Sequence, residues 1–378
     1  MNMNMVAMCL ENDRYLWCIS QEDAYLYRID KEKEVLEELI ALTDDIYMEN
    51  AFLDMVEYLN WLILIPGKGD DVVLVNRDTL EKRTIKLPVA GSFIGTTGMK
   101  FRAGLVHHNN LFMFGCAYPG IVKVNLESRE IEVRDSWLLD QDIVFNDSVD
   151  GCFFNNYCLL DNTVYLPFVN ANAVMQFDLE KEEITIYKVG NDTQRYISIE
   201  WDGQWFWLIP RDGSKGAIIK WNPDKGVTEE ISGYPVEYDY HKLAFYRSQI
   251  IDDRLLLFAH CGQHNISIDV TTGQMTTFSH LYKVEGVRGS KYPIVLKEKD
   301  NIVTLHNGEY IVWNYVENHI GRFGYKLDDK ISLRYEKKRL IEYFGENQLK
   351  YENENAGLEE FLRYVLFESD EIDEGLGR

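Results

Sequence analysis

The chain has 378 residues, 46% apolar and 27% charged, a balance that supplies ample core for a globular protein. Acidic residues outnumber basic ones 62 to 39, a net charge of −23. That excess argues against nucleic acid or an anionic membrane as partner, because both would be repelled.

No run of about 18 uncharged apolar residues occurs, which excludes a membrane-spanning helix. The opening MNMNMVAMCLENDRYLW has no basic region and meets Glu11 before any long apolar stretch, so no secretory signal is expected. Cys9, Cys18, Cys116, Cys152, Cys158 and Cys261 sit mostly inside or beside apolar runs, with no CxxC pair. They read as buried free thiols, and the cytoplasm is the expected compartment.

Taken in order, the chain repeats one unit. Polar turns fall at Asn12-Asp13, Leu59-Asn60, Asn109-Asn110, Asp161-Asn162, Asp202-Gly203, Asp252-Asp253 and Asp300-Asn301, their second members 47, 50, 52, 41, 50 and 48 residues apart. Each turn precedes a short apolar run, such as Trp61 to Ile65 or Leu255 to Phe258. These runs are too short for helices and rich in β-branched and aromatic residues, as buried strands are. A further strand ends on Asp or Asn in six units: Asp30, Asn76, Asn125, Asp178, Asn222 and Asp269. An Asx side chain there can accept from backbone amides two residues on and open a tight turn. The seventh copy, Ile311 to Tyr315, is read as lacking the Asx.

Ahead of each polar turn lies a candidate innermost strand: Val6 to Leu10, Ala51 to Val56, Phe101 to Val106, Cys152 to Leu159, Tyr196 to Glu200, Leu243 to Ile250 and Tyr292 to Leu296. A period of 40–50 residues with four strands per unit belongs to radial arrays. The pattern resembles a seven-bladed β-propeller: all-β, with four-stranded antiparallel blades, over residues 1–327. The order of apolar strand, Asx, turn and outer strand is similar to Kelch-like and YVTN-like repeats, but only at the level of fold. No Kelch double glycine stands at a fixed blade position, and there are no WD40 Gly-His and Trp-Asp pairs.

Residues 328–378 read as an extension. A strand is predicted at Ile331 to Tyr335. GLEEFLRYVLFE, from Gly357 to Glu368, puts Leu358, Phe361, Leu362, Val365 and Leu366 on one helical stripe. This helix is expected to cap the propeller or to dock a partner, ahead of an acidic tail.

Enzyme motifs are scarce. Gly91 to Lys100 has glycines but not the spacing of a phosphate loop. His260-Cys261-Gly-Gln-His264 gathers two imidazoles and a thiol, yet a zinc site needs more ligands, from His241 or Cys116 for instance. No metal and no cofactor is assigned. His107-His108 falls on a turn of the opposite sense.

The propeller reading does give the basic residues a pattern. Segments entering the innermost strands carry Lys100, Arg102, Arg195, His241, Lys242, Arg288 and Lys291, accompanied by Tyr196, Tyr240 and Tyr292. Loops between second and third strands add Tyr118, Arg211, His260 and His264. In an acidic chain, cations gathered round one funnel focus positive potential there and suit a carboxylate, phosphate or acidic sugar. Alternatively they are rim charges paired with Asp44, Asp45, Glu49, Asp147 and Asp239. The expected function is a non-catalytic binding module or scaffold presenting the funnel to a protein or a small anionic or carbohydrate ligand. The alternative is a propeller lyase, hydrolase or cyclotransferase, with His241, His260 or His264 as acid or base and Arg195 and Arg288 as clamps.

Overall fold

The computed structural model describes residues 3–11, 14–88, 98–118, 120–134, 151–211, 217–235, 243–260, 264–281, 292–306 and 308–336. Seven sheets each take four consecutive strands, paired antiparallel in chain order from the innermost outward. The innermost strands of blades one to seven are Met5–Leu10, Phe52–Tyr58, Phe101–His107, Cys158–Leu160, Tyr196–Trp201, Phe245–Ile251 and Val295–Glu298. The expectation of seven four-stranded blades is met.

The Asx turns organise each blade locally. Asp30, Asn76, Asn125, Asp178 and Asp269 each accept, through Oδ1, from the amides two and three residues on, at 2.8–3.2 Å. Asn222 accepts from Lys225 N at 3.0 Å. The fourth residue beyond each Asx then has positive φ: Glu34, Leu80, Arg129, Glu182, Gly226, Gly273 and, in blade seven, Asn318. A turn closed by one left-handed residue reverses the chain and matches the twist of the flanking strands. Blade seven corrects the sequence reading. Its third strand, Glu309–Asn314, does end on Asx, and Asn314 Oδ1 accepts from Glu317 N at 2.9 Å. Extending that strand one residue to Tyr315 hides the motif.

Blades join through apolar layers, one between each neighbouring pair. Phe112, Phe114 and Phe177 fill the layer between blades three and four. Ile197, Trp207, Leu255 and Ile266 lie between five and six. Met5, Leu16, Tyr27, Val303 and Leu305 lie between seven and one, which closes the ring. Burying side chains of this size contributes roughly 1.5–3 kcal/mol each relative to exposure.

The innermost segment of blade four is shorter than expected. Only Cys158–Leu160 pairs as a strand, whereas Cys152 to Tyr157 runs irregularly. Gly151, at φ 121, is the reason the chain can enter here, because a Cβ would stand 2.5 Å from the Cys116 backbone.

After blade seven, Lys326–Leu327 pairs parallel with Val35 and Leu36 on the outer strand of blade one. A helix follows over Asp329–Glu336, where the sequence predicts a strand. Asp328 caps it, accepting Ile331 N on Oδ1 at 2.7 Å and Ser332 N on its carbonyl at 3.0 Å. Ile331 and Tyr335, four apart, bury one helix face against blades seven and one. The apolar alternation of Ile331, Leu333 and Tyr335 mimics a strand, but the cap decides for helix. The stripe predicted at Gly357 to Glu368 lies outside the described residues. No described helix is long and apolar enough to cross a membrane. Cys9, Cys18, Cys116, Cys152 and Cys158 are free thiols, as expected, and all but the half-buried Cys158 are buried.

Candidate functional site

Side chains of the innermost segments meet around the central channel, and among the described residues its entrance half holds a hydrogen-bonded polar cluster. Arg247, third in the innermost strand of blade six, is the hub. Its guanidinium donates to Pro293 O at 2.8 and 3.0 Å, to Asn155 O at 3.3 Å and to Asn156 Oδ1. One side chain of blade six thereby ties the entry to blade seven and the irregular segment of blade four. Asn156 completes the tie, donating Nδ2 to Ile197 O at 3.0 Å and Tyr246 O at 2.9 Å. Every acceptor of Arg247 is a neutral oxygen. Burial pushes its pKa down, and the nearby Arg102 charge adds to that, opposed by Tyr246 and Asp54.

A ladder of rings and cations lines the same entrance. Arg102 sits 4.2 Å over the Phe154 ring, Phe154 lies 6.1 Å from Tyr246, and Tyr246 lies 5.7 Å from His260. Arg247 in turn sits 5.0 Å over Tyr246. Such cation–ring contacts are worth about 0.5–2 kcal/mol and hold guanidinium planes in place.

Asp54 of blade two is the acidic member. Its carboxylate accepts from Gly104 N at 3.1 Å and Met55 N at 3.0 Å. Gly104 is required for that approach, since a Cβ would lie 2.5 Å from the Ile65 side chain. Burial pushes Asp54 up to about 7, with the two amides pulling the other way. Tyr157 donates to Gly104 O at 3.3 Å, and burial raises its phenol well above the ordinary range. Deeper along the channel, Ser198 and Ser248 are 2.7 Å apart, and Ser248 donates to Glu200 at 2.9 Å. Burial likewise pushes Glu200 up to about 7.

The residues named from sequence fall into three groups. Arg102 and His260 stand at this entrance. Others hold the scaffold. Lys100 is buried, donating to Lys68 O at 2.9 Å and Gly69 O at 3.0 Å and pairing with Asp70 at 3.0 Å. Tyr118 packs edge-on against Phe101 at 5.6 Å in the core between blades two and three. Tyr196 donates to Val189 O at 2.7 Å, and Tyr292 accepts from Leu281 N at 2.8 Å, both within interblade cores. Arg195 turns back on the carbonyls of Thr193 and Gln194 at 3.0 and 3.2 Å. Arg211 is half-buried beside it, its amide on Arg195 O at 2.8 Å, and His264 is exposed. Tyr240, His241, Lys242, Arg288 and Lys291 lie outside the described residues.

Sequence reasoning missed Asp54, Phe154, Asn156, Tyr157, Tyr246 and Arg247. A signal existed for Asp54 and Arg247. Each is a charged residue inside an apolar innermost strand, where burial without purpose is costly.

No family model matches the sequence, and no curated protein does. Solved structures do resemble it in shape. A catalytically inactive variant of virginiamycin B lyase from Staphylococcus aureus, with quinupristin, superposes with a TM-score of 0.60 at 9% identity, over 86% of this chain and 96% of that one. A streptogramin B lyase structure gives 0.57 at 11% identity, over 86% and 94%. BamB from Moraxella catarrhalis gives 0.51 at 9% identity, over 86% of each chain. At such identities the resemblance concerns architecture alone. By that resemblance and by its own strand order, the chain is a seven-bladed β-propeller.

Proposed function

We propose that the protein is a binding module whose channel entrance takes a small anionic ligand, a carboxylate, phosphate or acidic sugar. The observation that carries this reading is Arg247: a half-buried cation whose every hydrogen bond goes to a neutral oxygen, with the Arg102 guanidinium acting on it nearby. Asp54 acts on it only through space, without a hydrogen bond; a cation bonded to neutral oxygens alone is poorly compensated, and an incoming anion would supply a direct charged partner. Phe154 and Tyr246 add flat apolar walls of the kind that flank a sugar or a planar acid. Isothermal titration with citrate, inorganic phosphate and glucuronate tests it. At least one should bind the wild type, and Arg102→Met should weaken it about tenfold or more while the far-ultraviolet dichroism is unchanged. Failure of all three to bind, or equal binding by the variant, would sink the reading.

A second reading, catalysis on the same ligand, draws on Asp54, a carboxyl titrating near neutrality at the same entrance. Such a group can both accept and return a proton. Two of the similar structures are lyases, although propellers host many unrelated functions and the likeness alone decides nothing. Turnover of a bound ligand that Asp54→Asn abolishes would establish it.

A further inference from the structure

At the other end of blade three, well away from the channel entrance, two adjacent histidines and a carboxylate from the next blade converge. His107 is the last residue of the innermost strand Phe101–His107. Arg102 lies five residues earlier on that strand, so the two ends are about 17 Å apart. Consecutive residues of a strand point to opposite faces. His108 escapes that rule because it opens the turn with φ 53, in the left-handed region. Its ring therefore swings to the same side as that of His107, and the centroids come within 4.1 Å. Both Nε2 atoms face one oxygen, Glu180 Oε1, at 2.9 and 3.0 Å.

Glu180 is held for this by the Asx turn of blade four, its own amide donating to Asp178 Oδ1 at 3.0 Å. The cations nearby are engaged elsewhere. Lys181 pairs with Asp178, and Lys123 and Arg134 pair with Glu182. Glu180 is left with the two imidazoles, and all three ligand atoms lie within 4.8 Å of one another. Among the described residues it is the one such group of three.

We propose that His107, His108 and Glu180 form a divalent metal site, with zinc as the ion the donors suit best, bridging blades three and four. Two imidazoles and one carboxylate are a common zinc donor set. Zinc stands about 2.0–2.2 Å from N and O ligands, which sets tetrahedral donors about 3.4 Å apart. The two Nε2–Oε1 separations are within about half an ångström of that. The side chains of His108 and Glu180 are 68% and 50% exposed, so water reaches the ion and fills the fourth position. Nitrogen-rich donors disfavour magnesium and calcium, which take oxygen ligands.

Untagged full-length protein, stripped with chelator, is titrated with zinc chloride by calorimetry and with cobalt chloride by visible absorption. One zinc per chain is expected, with a cobalt d–d band of low coordination number. His108→Asn keeps a residue that tolerates positive φ, and it should weaken zinc about tenfold or more, as should Glu180→Gln. His319→Ala, an exposed histidine on the outer strand of blade seven, should bind zinc like the wild type. The proposal is overturned if the wild type takes up no zinc. It is equally overturned if His108→Asn and Glu180→Gln bind as the wild type does, or if His319→Ala abolishes binding. The channel-ligand titrations are independent of every one of these outcomes.

Discussion

Arg334 donates to Asp23 across 3.1 Å although 311 positions separate them, and this contact locks the end of the propeller onto its first blade. Arg334 also pairs with Glu38, donates to the Tyr27 hydroxyl and lies 3.9 Å over the Tyr25 ring. Tyr27 and Tyr335 both donate to the same Asp23 oxygen, at 2.6 and 3.2 Å. Asp23 and Arg334 are only 3% and 12% exposed. Breaking a buried pair by removing one partner costs about 3–5 kcal/mol, because the other charge stays buried. Arg334→Ala should therefore lower the urea unfolding free energy by about that much. Arg322→Ala, which removes an exposed pair with Glu309, should change it by less than about 1 kcal/mol. Equal effects would show that the helix does not clasp the ring.

Asp54 and Glu200 make a signed prediction about pH. Both are held up to about 7 by burial, against ordinary values near 4. Between those values the folded state binds more protons than the unfolded one, so stability falls as pH rises through that window and levels off above about 7. Carboxylates held low, such as Asp178 and Asp269, act in the opposite sense, but only at and below pH 4. Urea unfolding at pH 5.5 and pH 8 should show the wild type losing up to a few kcal/mol between them, and Asp54→Asn with Glu200→Gln should flatten that slope. A double variant as pH-sensitive as the wild type would refute the assignment.

Much of the scaffold was legible in the sequence because its signals are local. The Asx residues sit at the ends of apolar runs, and their bonds reach only two or three residues ahead. The candidate sites are assembled differently. Arg247 reaches Asn156 from a blade two steps away, and Glu180 reaches His107 across 73 positions, so no spacing announces either. Position in the repeat points the entry aromatics Tyr196 and Tyr292 to the funnel. Their hydroxyls instead find backbone partners inside the blades, which fixes the rings in the core.

The left-handed residue after each Asx turn predicts opposite effects at two equivalent positions. Arg129 is exposed and has φ 64, a conformation that costs an ordinary L-residue about 1–2 kcal/mol. Arg129→Gly removes that strain but adds about 0.5–1 kcal/mol of unfolded-chain entropy. It should be neutral or stabilising by a few tenths of a kcal/mol. Gly273 holds the same place in blade six at φ 73, and a Cβ there would meet nothing nearer than the Ile231 side chain, at a comfortable 3.6 Å. Backbone strain then outweighs the unfolded-chain entropy that alanine saves, and Gly273→Ala should destabilise by about 0.5–1 kcal/mol. The denaturant midpoint should fall for Gly273→Ala and stay level or rise for Arg129→Gly, and a fall in both would refute the turn assignment.

Arg247 carries the last prediction, because it separates structure from binding at one side chain. Arg247→Met keeps most of the volume and removes a desolvated cation, which on its own can be neutral or favourable. Against that, Pro293 O and Asn155 O lose their guanidinium donor, as does the Asn156 carboxamide, and a buried acceptor left unmade costs about 1–3 kcal/mol. With three acceptors orphaned and one cation relieved, the balance falls on destabilisation, by about 3 kcal/mol in urea. If Arg247→Met were as stable as the wild type, the tie between blades four, six and seven would carry no weight in the fold. The residue would then be held in the channel for its charge alone.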